Sequence, residues 1–474
     1  MAEQKRNPPR TLAAVVLAAG RGKRLRSSVP KVLHPVCGQP MLWHVLGLVR
    51  VARPTKIVIV VGHGADDVRD AVGSWRITPT PTFVEQGEQL GTGHAVLQAE
   101  RAVGRSHDIL VANGDLDPVR PADVKALLRT HRRRRAAASV IVTEVSAPGG
   151  YGRAIRDGDR LVRVVEQADA TPAERRIHQI ATNWIVFRRE DLFRALPAVG
   201  RDNRQGEYYL NEVYRILLDK GEMVAAIEGD TGGVMGANSR AGLAELEQIY
   251  RRRINEAHMH DGVRLVDPET TYIDAGVRIG RDTTIAPHTF VEGATTIGSR
   301  CTIGPSVQIR DARIGEGSTV RFAVIEGARV GRRVSVGPFA RLRPGTRLAD
   351  DTIVGSYVEV KNSTVGRGSK VPHLSYVGDA TVGRGVNVGA ANVTANWDGY
   401  EKHRTTIGDG VRTGSDTIMV APVKLGKGAV TGAGSVISKD VPAGALAVER
   451  TEQRVIKGYR KRKDREHGDR KRGG

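Results

Sequence analysis

A six-residue period in the second half of the chain constrains the fold more than any other feature of the sequence. Aliphatic residues recur at every sixth position without a miss: Ile273, Ile279, Ile285, Val291, Ile297, Ile303 and Ile309. After a phase slip near Ile314 the same step continues at Val330, Val336, Leu342, Leu348, Val354 and Val360. A six-residue period of this length is typical of a parallel β-helix, in which each short strand contributes one inward aliphatic residue. We therefore predict a β-helix domain over residues 263–455.

The first half of the chain has a different pattern, in which apolar strand-like runs alternate with helix-like apolar spacing. The strand-like runs are residues 12–20, 56–64, 108–115 and 136–145, and the helix-like segments are 41–52, 94–103 and 121–131. Strands that alternate with helices predict a mostly parallel sheet covered on both faces. Ligands of such sheets bind beyond the carboxyl ends of the strands. The loops 20–31 and 113–118 both leave strands at that edge, so we expect them to line one pocket.

The charge of the chain is strongly positive. A net charge of +21 over 474 residues favours anionic partners, either phosphate ligands or nucleic acid. Much of the excess lies in the run 131–135 and in the tail 456–474, which we predict to be a basic disordered end rather than a nucleic-acid site. A flexible N-terminus over 1–11 and an amphipathic linker helix over 239–262, acting as a spacer, complete the predicted organisation.

Cysteine usage and hydropathy favour a soluble intracellular protein. Only Cys37 and Cys301 occur, which argues against a disulfide framework or a cysteine-ligated metal. The first ten residues carry no apolar segment of the signal-peptide type, and no run of about 18 apolar residues occurs anywhere. We therefore expect a cytoplasmic location and no membrane span.

An apolar strand that ends in two glycines opens the most informative loop of the sequence, VVLAAGRGKRLRSSVPKVLH. Gly20 and Gly22 would let backbone N–H groups approach a triphosphate closely. Arg24 and Lys31 would then neutralise phosphate charge as pyrophosphate departs. Asp115 ends another strand, where its carboxylate either holds Mg²⁺ or caps the next segment.

Ten motifs are similar to those of one bacterial enzyme family. In chain order they read LAAGRGKRLRSSVPKVLH, EQLGTGHAV, GYGRAIRD, VVEQADATPAERR, QGEYYLNEVY, GPFARLRPG, VEVKNS, VPHLSYVGD, NVGAANVTANWDG and RTGSDTIMVAPV. On these motifs, residues 11–458 resemble the bifunctional N-acetylglucosamine-1-phosphate uridylyltransferases / glucosamine-1-phosphate acetyltransferases. The resemblance implies a Rossmann-like α/β nucleotidyltransferase domain over 12–238. A left-handed parallel β-helix of hexapeptide repeats over 263–455 would then be the acetyltransferase domain.

The resemblance also implies two reactions that together make UDP-N-acetylglucosamine for peptidoglycan and cell-wall synthesis. An acetyl group passes from acetyl-CoA to glucosamine 1-phosphate. A uridylyl group then passes from UTP to N-acetylglucosamine 1-phosphate, with Mg²⁺ as cofactor and pyrophosphate as product. Proteins of this resemblance act as homotrimers, with acetyl-transfer sites between neighbouring β-helices.

Carried over residue by residue, the resemblance implies a uridylyl-transfer site in the first half. The residues that would bind the uridine and phosphates of UTP are Leu17, Ala18, Gly20, Arg24, Lys31, Gln86, Gln89, Gly91 and Thr92. Asp115 and Asn238 would hold the metal ion, and Gly152 and Glu166 would contact the sugar. Attack of a sugar-phosphate oxygen on the α-phosphorus needs positioning and charge neutralisation more than covalent chemistry.

The first half departs from the family pattern mainly on the sugar side. Lys23 replaces the usual Thr or Ser, Asp117 the usual Pro, Ala181 a sugar-contacting Asn, Asn183 the usual Gly, Asn211 the usual Thr, and Asn113 a common Tyr or Ser. A site built to hydrogen-bond a sugar loses about 1–3 kcal/mol for each polar partner left unpaired. Normal activity through compensating substitutions, altered sugar preference and weak uridylyl transfer therefore all remain open.

The second half keeps the family pattern more closely. His373 in VPHLSY would be the general base that accepts a proton as the glucosamine amine attacks the thioester. The residues that would bind the sugar phosphate are Arg343, Lys361, Tyr376, Asn387, Asn396 and Lys402. Those that would line the acetyl-CoA channel are Ala390, Ser415, Ala433 and Arg450. Trp397 stands where Tyr is usual, which retains a ring but loses a hydroxyl.

Three functional hypotheses follow from the sequence. The first is the bifunctional enzyme just described, with sugar phosphates, UTP and acetyl-CoA as small-molecule partners. The second is an acetyltransferase whose first half is inactive or acts on a different sugar phosphate. The third is a scaffold that binds nucleic acid or an acidic surface through the tail, which the lack of an aromatic-studded basic motif disfavours.

Overall fold

The computed structural model describes residues 10–146, 148, 151–165, 170–203, 206–233 and 236–472. Two compact units divide the chain: Met1–Ala257 with Ile273–Gly276, and His258–Tyr272 with Val277–Gly474. Among the described residues, none of the helices combines the length and the apolar content that a membrane crossing requires.

The first unit is a three-layer α/β structure. Its strands are β1 Leu12–Ala18, β2 Pro35–Val36, β3 Gln39–Pro40, β4 Lys56–Val61, β5 Thr82–Glu85, β6 Asp108–Asn113, β7 Ala138–Glu144, β8 Arg153–Asp157, β9 Arg160–Val165, β10 Gln179–Arg188 and β11 Val224–Glu228. Its α-helices are α1 Met41–Val51, α2 Ala65–Ser74, α3 Thr92–Gln98, α4 Glu100–Val103, α5 Pro121–Arg134, α6 Arg189–Ala195, α7 Glu212–Asp219 and α8 Arg240–His260. Short 3-10 helices cover Lys23–Leu25, Lys31–Leu33, Glu174–Arg176 and Leu196–Ala198.

The main sheet has the strand order β5-β4-β1-β6-β10-β7-β11-β9-β8. Strands β5, β4, β1 and β6 are parallel, as are β7 and β11, whereas β10 runs antiparallel between β6 and β7. The sheet is therefore mixed at its centre, and its parallel part carries the two loops that the sequence placed at one edge. Gly114, which follows β6, donates its N–H to Leu17 O at 2.8 Å, so those loops do begin side by side.

Two apolar layers cover the sheet. One layer includes Leu46 of α1 and Leu127 of α5, and the other includes Val96 of α3 and Val213 of α7, all fully buried. Helix α8 is more than the spacer predicted over 239–262, because Leu246 is fully buried in the first of these layers. The predicted linker therefore contributes to the core of the first unit.

The basic run at 131–135 has a structural explanation. It forms the last turn of α5 and its C-cap, Arg135, where positive side chains interact favourably with the helix dipole. His131 turns inward instead: its Nδ1 lies 3.0 Å from Ser139 Oγ and its Nε2 lies 3.5 Å from Asp108 Oδ1. Arg10 also reaches Asp108, at 3.2 Å.

The second unit is the β-helix predicted from the hexapeptide period, with parallel strands on three faces. The strands of the first face are Arg264–Leu265, Thr284–Ile285, Thr302–Ile303, Thr319–Val320, Ser335–Val336, Ile353–Ser356 and Lys370–His373, and the pair Val430–Thr431 and Leu446–Ala447 lies further along the chain. Those of the second face are Thr289–Glu292, Val307–Arg310, Ala323–Glu326, Ala340–Leu342, Glu359–Lys361, Tyr376–Gly378, Val393–Ala395, Ile418–Val420 and Val436–Ile437. Those of the third face are Arg278–Ile279, Thr296–Ile297, Arg313–Ile314, Arg329–Val330, Arg347–Leu348, Thr364–Val365, Ala380–Val382, Thr405–Ile407 and Val423–Leu425. Thr271–Ile273, which follows the 3-10 helix Pro268–Thr270, is the first strand of the second face.

The residues of the six-residue period fill the interior of the β-helix. Ile285, Val291 and Ile303, on successive faces or coils, are fully buried. Threonines that precede the aliphatic residue on a strand, such as Thr302, point outward. A left-handed β-helix of hexapeptide repeats is thus confirmed as the fold of the second unit.

The basic tail differs from the disordered end predicted for 456–474. Tyr459–Arg472 forms a helix, α9, whose side chains are exposed as far as residue 468. Ion pairs spaced three or four residues apart support it: Arg460 with Asp464, and both Arg462 and Lys463 with Glu466. Such pairs stabilise a helix without any buried contact, which apolar content alone does not reveal.

The cluster around Asp108 makes the stability of the first unit depend on pH. Burial disfavours the charged form, but the hydrogen bond and charge of His131, with Arg10 and Arg132, outweigh it and lower the pKa of Asp108. A lowered pKa contributes stability at pH values above the unfolded-state value near 4. That contribution is lost as the pH falls through the folded-state value.

We expect His131→Ala to destabilise the first unit by about 1–3 kcal/mol at pH 7, because the buried carboxylate of Asp108 then keeps Arg10 as a partner but loses the imidazole. The difference should shrink below about pH 4, as the carboxylate becomes protonated. Urea unfolding followed by tryptophan fluorescence reports on the buried Trp184 and measures both effects. His260→Ala, at an exposed site, is the control; equal stability of the two variants would contradict the assignment.

Candidate active sites

The glycine loop after β1 folds back so that Lys31 lies under it. Gly22 has φ +58°, and a Cβ there would come within 2.8 Å of Lys31 Cβ, so a larger residue would be strained and would displace the lysine. Leu25 N–H donates to Gly22 O at 2.9 Å and closes the turn. Gly20 and Arg24 lie exposed on this loop. The loop thus presents its backbone and the exposed Arg21, Arg24 and Arg26 to solvent, while Lys31 lies beneath it.

Lys31 brings together the two residues predicted to hold a metal. Its Nζ donates to Asp115 Oδ2 at 2.5 Å and to Asn238 Oδ1 at 2.7 Å. These three residues are up to 207 positions apart in the sequence, so their convergence is a property of the fold. The sequence left Asp115 as either a metal ligand or a cap, and among the described residues no backbone N–H donates to its side chain, which disfavours the cap.

The donor set at this point fits a hard divalent cation. Asp115 Oδ1 is buried without a hydrogen-bond partner, and Asp115 Oδ2 and Asn238 Oδ1 already face one positive charge. Carboxylate and amide oxygens are the ligands that Mg²⁺ prefers, and it commonly uses few protein ligands and keeps several waters. Among the described residues no group of three His, Cys, Asp or Glu side chains forms a metal cluster.

The residues predicted to hold uridine lie on loops that hydrogen-bond to one another. Gln89 Nε2 donates to Ala19 O at 2.6 Å, which joins its loop to the end of β1, where Leu17 and Ala18 lie. Gln86 Nε2 donates to Gly91 O at 3.1 Å within the same loop. The two loops on either side of the predicted uridine pocket are therefore joined by one hydrogen bond, and one of them is closed by another.

The segment that carries Asn211 closes over the same loop. Gly93 N–H donates to Tyr208 O at 2.8 Å, and Leu210 N–H donates to Thr92 Oγ1 at 3.1 Å. Asn211 is the residue before α7. A Cβ on Gly91, which has φ +114°, would lie 2.7 Å from Tyr208 O, so only glycine allows this close approach.

Two residues of this site were not predicted as functional. Asp117 is 1% exposed and accepts hydrogen bonds from Asn183 and Gly236. Burial, and then the charge of Asp115, raise the pKa of Asp117 to about 6 despite those bonds. Tyr151, which precedes Gly152, hydrogen-bonds to Asn238, and burial raises its pKa. The signal for Tyr151 was the GYGR motif; Asp117 gave no signal beyond its departure from Pro.

Only some of the residues predicted to contact the sugar lie in the part of the chain that the structure describes. Gly152 lies next to Tyr151 and hence near Asn238, whereas Glu166 lies outside the described residues. Ala181 and Asn183 stand on β10, where its pairing with β7 is irregular between Ala181 and Ile185.

In the second unit, His373 begins a column of predicted residues along one corner of the β-helix. It ends a first-face strand and its side chain is exposed. Coil-to-coil hydrogen bonds then connect the column: Ala391 N–H to His373 O at 3.3 Å, Asp416 N–H to Ala390 O at 2.7 Å, and Gly434 N–H to Ser415 O at 2.8 Å. His373, Ala390, Ser415 and Ala433 are thus neighbours on successive coils.

The column has small side chains below the histidine. Ala390, Ser415 and Ala433 all have small side chains, and the side chain of Arg450 lies close to Gly434 at the far end of the column. Asn387 lies on the same face as the histidine strand, paired with Lys370. A track of small residues that ends at an exposed imidazole suits an extended ligand whose reactive end lies at His373.

A second cluster gathers around Asp379, a residue that sequence reasoning missed. Its oxygens accept from Asn362 Nδ2 at 2.6 Å and Asn396 Nδ2 at 2.5 Å. Although burial opposes it, these bonds and the charges of Lys361 and Lys402 lower the pKa of Asp379. The VGD sequence after the histidine motif was the available signal for Asp379.

Two ammonium groups meet beside this carboxylate. Contact with Lys361, and then its charge, lower the pKa of Lys402, because two like charges disfavour each other. Tyr376 belongs to the same group, since Asn396 Nδ2 lies 3.4 Å from its hydroxyl. Paired lysines of this kind suit an anion such as a phosphate.

The loop that carries Lys402 is closed by its own side chains. Asp398 accepts from the N–H groups of Tyr400 and Glu401 at 2.8 and 2.7 Å, and from His403 Nε2 at 2.6 Å. These bonds, with the Glu401 N–H first, hold the pKa of Asp398 well below its usual value. Trp397 is 57% exposed on this loop, so the hydroxyl it lacks relative to Tyr would face solvent.

Arg343 lies on the same face of the β-helix. It forms an ion pair with Glu359 at 2.8 Å, one coil further along. The residues predicted to bind the sugar phosphate thus fall into two groups. Lys361, Tyr376, Asn396 and Lys402 lie around Asp379, with Arg343 on the same face, whereas Asn387 lies beside the histidine column.

The glycine loop, the cluster of Lys31, Asp115 and Asn238, and the mixed sheet are the features expected of a nucleotidyltransferase. The MobA-like NTP transferase domain family matches residues 14–215. Three similar proteins carry the name bifunctional protein GlmU. That of Halalkalibacterium halodurans is 45% identical over 93% of this chain and 96% of its own length, that of Syntrophomonas wolfei 44% over 94% and 99%, and that of Listeria monocytogenes 45% over 94% and 98%.

With identity of this level over nearly the whole of both chains, the protein belongs to the GlmU family of bifunctional proteins. This confirms the resemblance seen in the motifs. It also confirms the enzyme class, which is a nucleotidyltransferase joined to an acetyltransferase of UDP-N-acetylglucosamine synthesis. The nucleic-acid scaffold is therefore not the main function.

We expect Gly22→Ala to lower pyrophosphate release from UTP by about ten- to a hundredfold, since a misplaced charge contact at a reacting phosphate costs this much. The acetyl-transfer rate of the same variant should stay unchanged and serves as the internal control. Gly73→Ala, where a Cβ meets nothing within 4 Å, is the matched variant. A Gly22→Ala enzyme with normal pyrophosphate release would contradict the role of Lys31.

Proposed function

We propose that the protein makes UDP-N-acetylglucosamine in two steps at two separate sites, with His373 and the cluster of Lys31, Asp115 and Asn238 as their respective centres. Convergence of the residues in that cluster from three distant segments is the observation that carries the proposal for the first unit. The column that ends at His373 carries it for the second.

In acetyl transfer, the amine nitrogen of glucosamine 1-phosphate attacks the thioester carbonyl carbon of acetyl-CoA. His373 accepts the amine proton, the bond from carbon to sulfur breaks, and the departing CoA thiolate takes up that proton from the imidazolium to leave as the thiol. Lys361 and Lys402 bind the phosphate, and Asp379 holds Asn396 in place beside Tyr376. Ala390, Ser415, Ala433 and Arg450 line the track of the CoA arm, and Asn387 and Arg343 contact the sugar phosphate.

In uridylyl transfer, a phosphate oxygen of N-acetylglucosamine 1-phosphate attacks the α-phosphorus of UTP and pyrophosphate leaves. Leu17, Ala18, Gln86, Gln89, Gly91 and Thr92 position the nucleoside, and Gly20 presents its backbone to the phosphates. Lys31 and Arg24 neutralise charge on the leaving group. Asp115 and Asn238 would hold Mg²⁺, which supplies further charge neutralisation at the phosphates when bound.

The sugar end of the uridylyl site is where a second candidate stays open. Ala181 offers no polar side chain, and Gly152 and Glu166 are the remaining predicted sugar contacts. We propose N-acetylglucosamine 1-phosphate as the substrate, with another sugar 1-phosphate as the alternative. Product analysis with a panel of sugar 1-phosphates distinguishes the two. Because UTP and acetyl-CoA are both metabolites of the cytoplasm, we propose that the enzyme works there.

An exposed apolar column supports a homotrimer. Phe322, Phe339, Tyr357 and Leu374 are 39, 53, 61 and 61% exposed and follow one another along a corner of the β-helix. The rings of Phe339 and Tyr357 stack with centroids 5.2 Å apart. Contiguous exposed apolar surface of this kind marks a protein interface. The apolar column ends at Leu374, next to His373. A second β-helix that covers the apolar column would therefore also border the acetyl-transfer site.

We expect Asp115→Ala to abolish pyrophosphate release from UTP with N-acetylglucosamine 1-phosphate while thiol release from acetyl-CoA continues. His373→Ala should do the reverse, with a loss of about 10²–10⁴-fold in acetyl transfer. Parallel assays of pyrophosphate and free thiol measure both activities on one preparation. Thiol release without any pyrophosphate release in the unmodified enzyme, whichever sugar phosphate is supplied, would reduce the protein to an acetyltransferase.

Charged substitution in the apolar column should dissociate the trimer. We expect the double variant Phe339→Glu/Tyr357→Glu to sediment as a monomer, because a buried unpaired carboxylate is strongly unfavourable at an interface. Its acetyl transfer should fall at least tenfold and its uridylyl transfer should stay unchanged. Arg313→Glu, on the exposed third face, is the control, and an unchanged sedimentation coefficient of the double variant would refute the interface.

A further inference from the structure

The buried carboxylate of Asp117 connects three segments of the first unit. One oxygen, Oδ1, accepts the backbone N–H of Gly236 at 3.0 Å. The other, Oδ2, accepts both the backbone N–H and the side-chain Nδ2 of Asn183, at 2.9 and 3.1 Å. With 1% of its surface exposed, the carboxylate has three donors around it and almost no contact with solvent.

The segments that Asp117 joins are those of the uridylyl site. Gly236 stands two residues before Asn238, and Ala237 N–H donates to Asp115 O at 3.2 Å. Asn183 stands two residues after Ala181, where β10 departs from regular pairing. The bonds of Asp117 therefore fix the proposed metal ligands and the sugar-side strand relative to one another.

Asp117 and Asn183 are both departures from the family pattern, and each accounts for the other. A proline at 117 offers no carboxylate to accept hydrogen bonds, and a glycine at 183 offers no side-chain amide to donate one. Together they form a complementary donor and acceptor set in a place where a buried charge is unfavourable unless it is fully hydrogen-bonded. With glycine at 183, Asp117 would keep the two backbone donors and lose the side-chain donor; with proline at 117, Asn183 Nδ2 would lose this acceptor.

We propose that Asp117 and Asn183 are a matched pair of positioning residues that holds the Gly236–Asn238 segment against Asp115. The pair rests on the proposed uridylyl activity for its function. The geometry of the pair itself, however, can be tested without that activity. Neither residue touches the reacting atoms; they act through Asn238 and through the strand that carries Ala181.

The experiment compares Asp117→Asn, Asn183→Asp and the double variant D117N/N183D with the unmodified enzyme. In Asp117→Asn an amide NH₂ replaces the oxygen that accepts from Asn183, so two donors face each other. In Asn183→Asp the carboxylates of residues 117 and 183 face and repel each other. The double variant restores one donor and one acceptor between the side chains. We expect each single variant to raise the Mg²⁺ concentration for half-maximal pyrophosphate release about tenfold or more, with the KM for acetyl-CoA unchanged, because partners of metal ligands commonly have effects of this size. The double variant should recover most of that loss.

Hydrogen exchange of the metal-free protein gives a readout that needs no turnover. In Asp117→Asn the amide of Gly236 should exchange at least tenfold faster, since its acceptor is weakened. Asp66→Asn, at a side chain that is 94% exposed, is the control, and acetyl transfer in every variant reports that the chain has folded. If Asp117→Asn does not fold, Asn183→Ala, which keeps both backbone bonds of the carboxylate, should show a smaller increase in the Mg²⁺ requirement.

Two results would overturn the proposal. One is a lower melting temperature with an unchanged Mg²⁺ requirement and unchanged exchange at Gly236, which is what a purely structural role predicts. The other is a double variant no better than the worse single variant. Absence of pyrophosphate release from the unmodified enzyme would instead contradict the proposed function, and the exchange measurement would still decide whether the pair holds the segment.

Discussion

Parallel stacking of the coils is the constraint on which the acetyl-transfer half depends. Each coil donates backbone hydrogen bonds to the coil before it, so a residue at one corner is carried to the same corner of the next coil. His373, Ala390, Ser415 and Ala433 become neighbours for this reason, although they are separated by 17 to 25 positions in the sequence. The uridylyl half also contains parallel strands, but its candidate site is assembled differently. There, side chains from three distant segments fix the site, with Lys31 and Asp117 as the central members.

The sequence predicted most of the secondary structure because its patterns are local. The six-residue period gave the β-helix, and the four strand-like runs coincide with β1, β4, β6 and β7 to within a few residues. Two segments were incompletely predicted. The linker helix proved to be core at Leu246, which only tertiary packing decides, and the tail formed α9 through ion pairs that apolar content does not register.

The sequence predicted some residues of the candidate sites and missed others. Lys31 lies in a motif, and the family resemblance implied Asp115 and Asn238 as its neighbours in the site; the structure brings both within hydrogen-bonding distance of Lys31. Asp379 also lies in a motif but was overlooked, because its role depends on Asn362 and Asn396, which reach it only in the folded β-helix. Asp117 and Asn183 stood out only as exceptions, since a pair 66 residues apart has no spacing signal.

The column along the β-helix corner has a fixed step. Strands of neighbouring coils lie about 4.8 Å apart, so the three steps from His373 to Ala433 span roughly 14 Å along the axis. The proposed CoA arm would therefore lie along a stretch of β-helix whose length is fixed by the number of coils. At the proposed acetyl-transfer site, an acyl donor would be selected by the length of its arm as well as by its chemistry, and removing one whole coil would shorten the available length by one step.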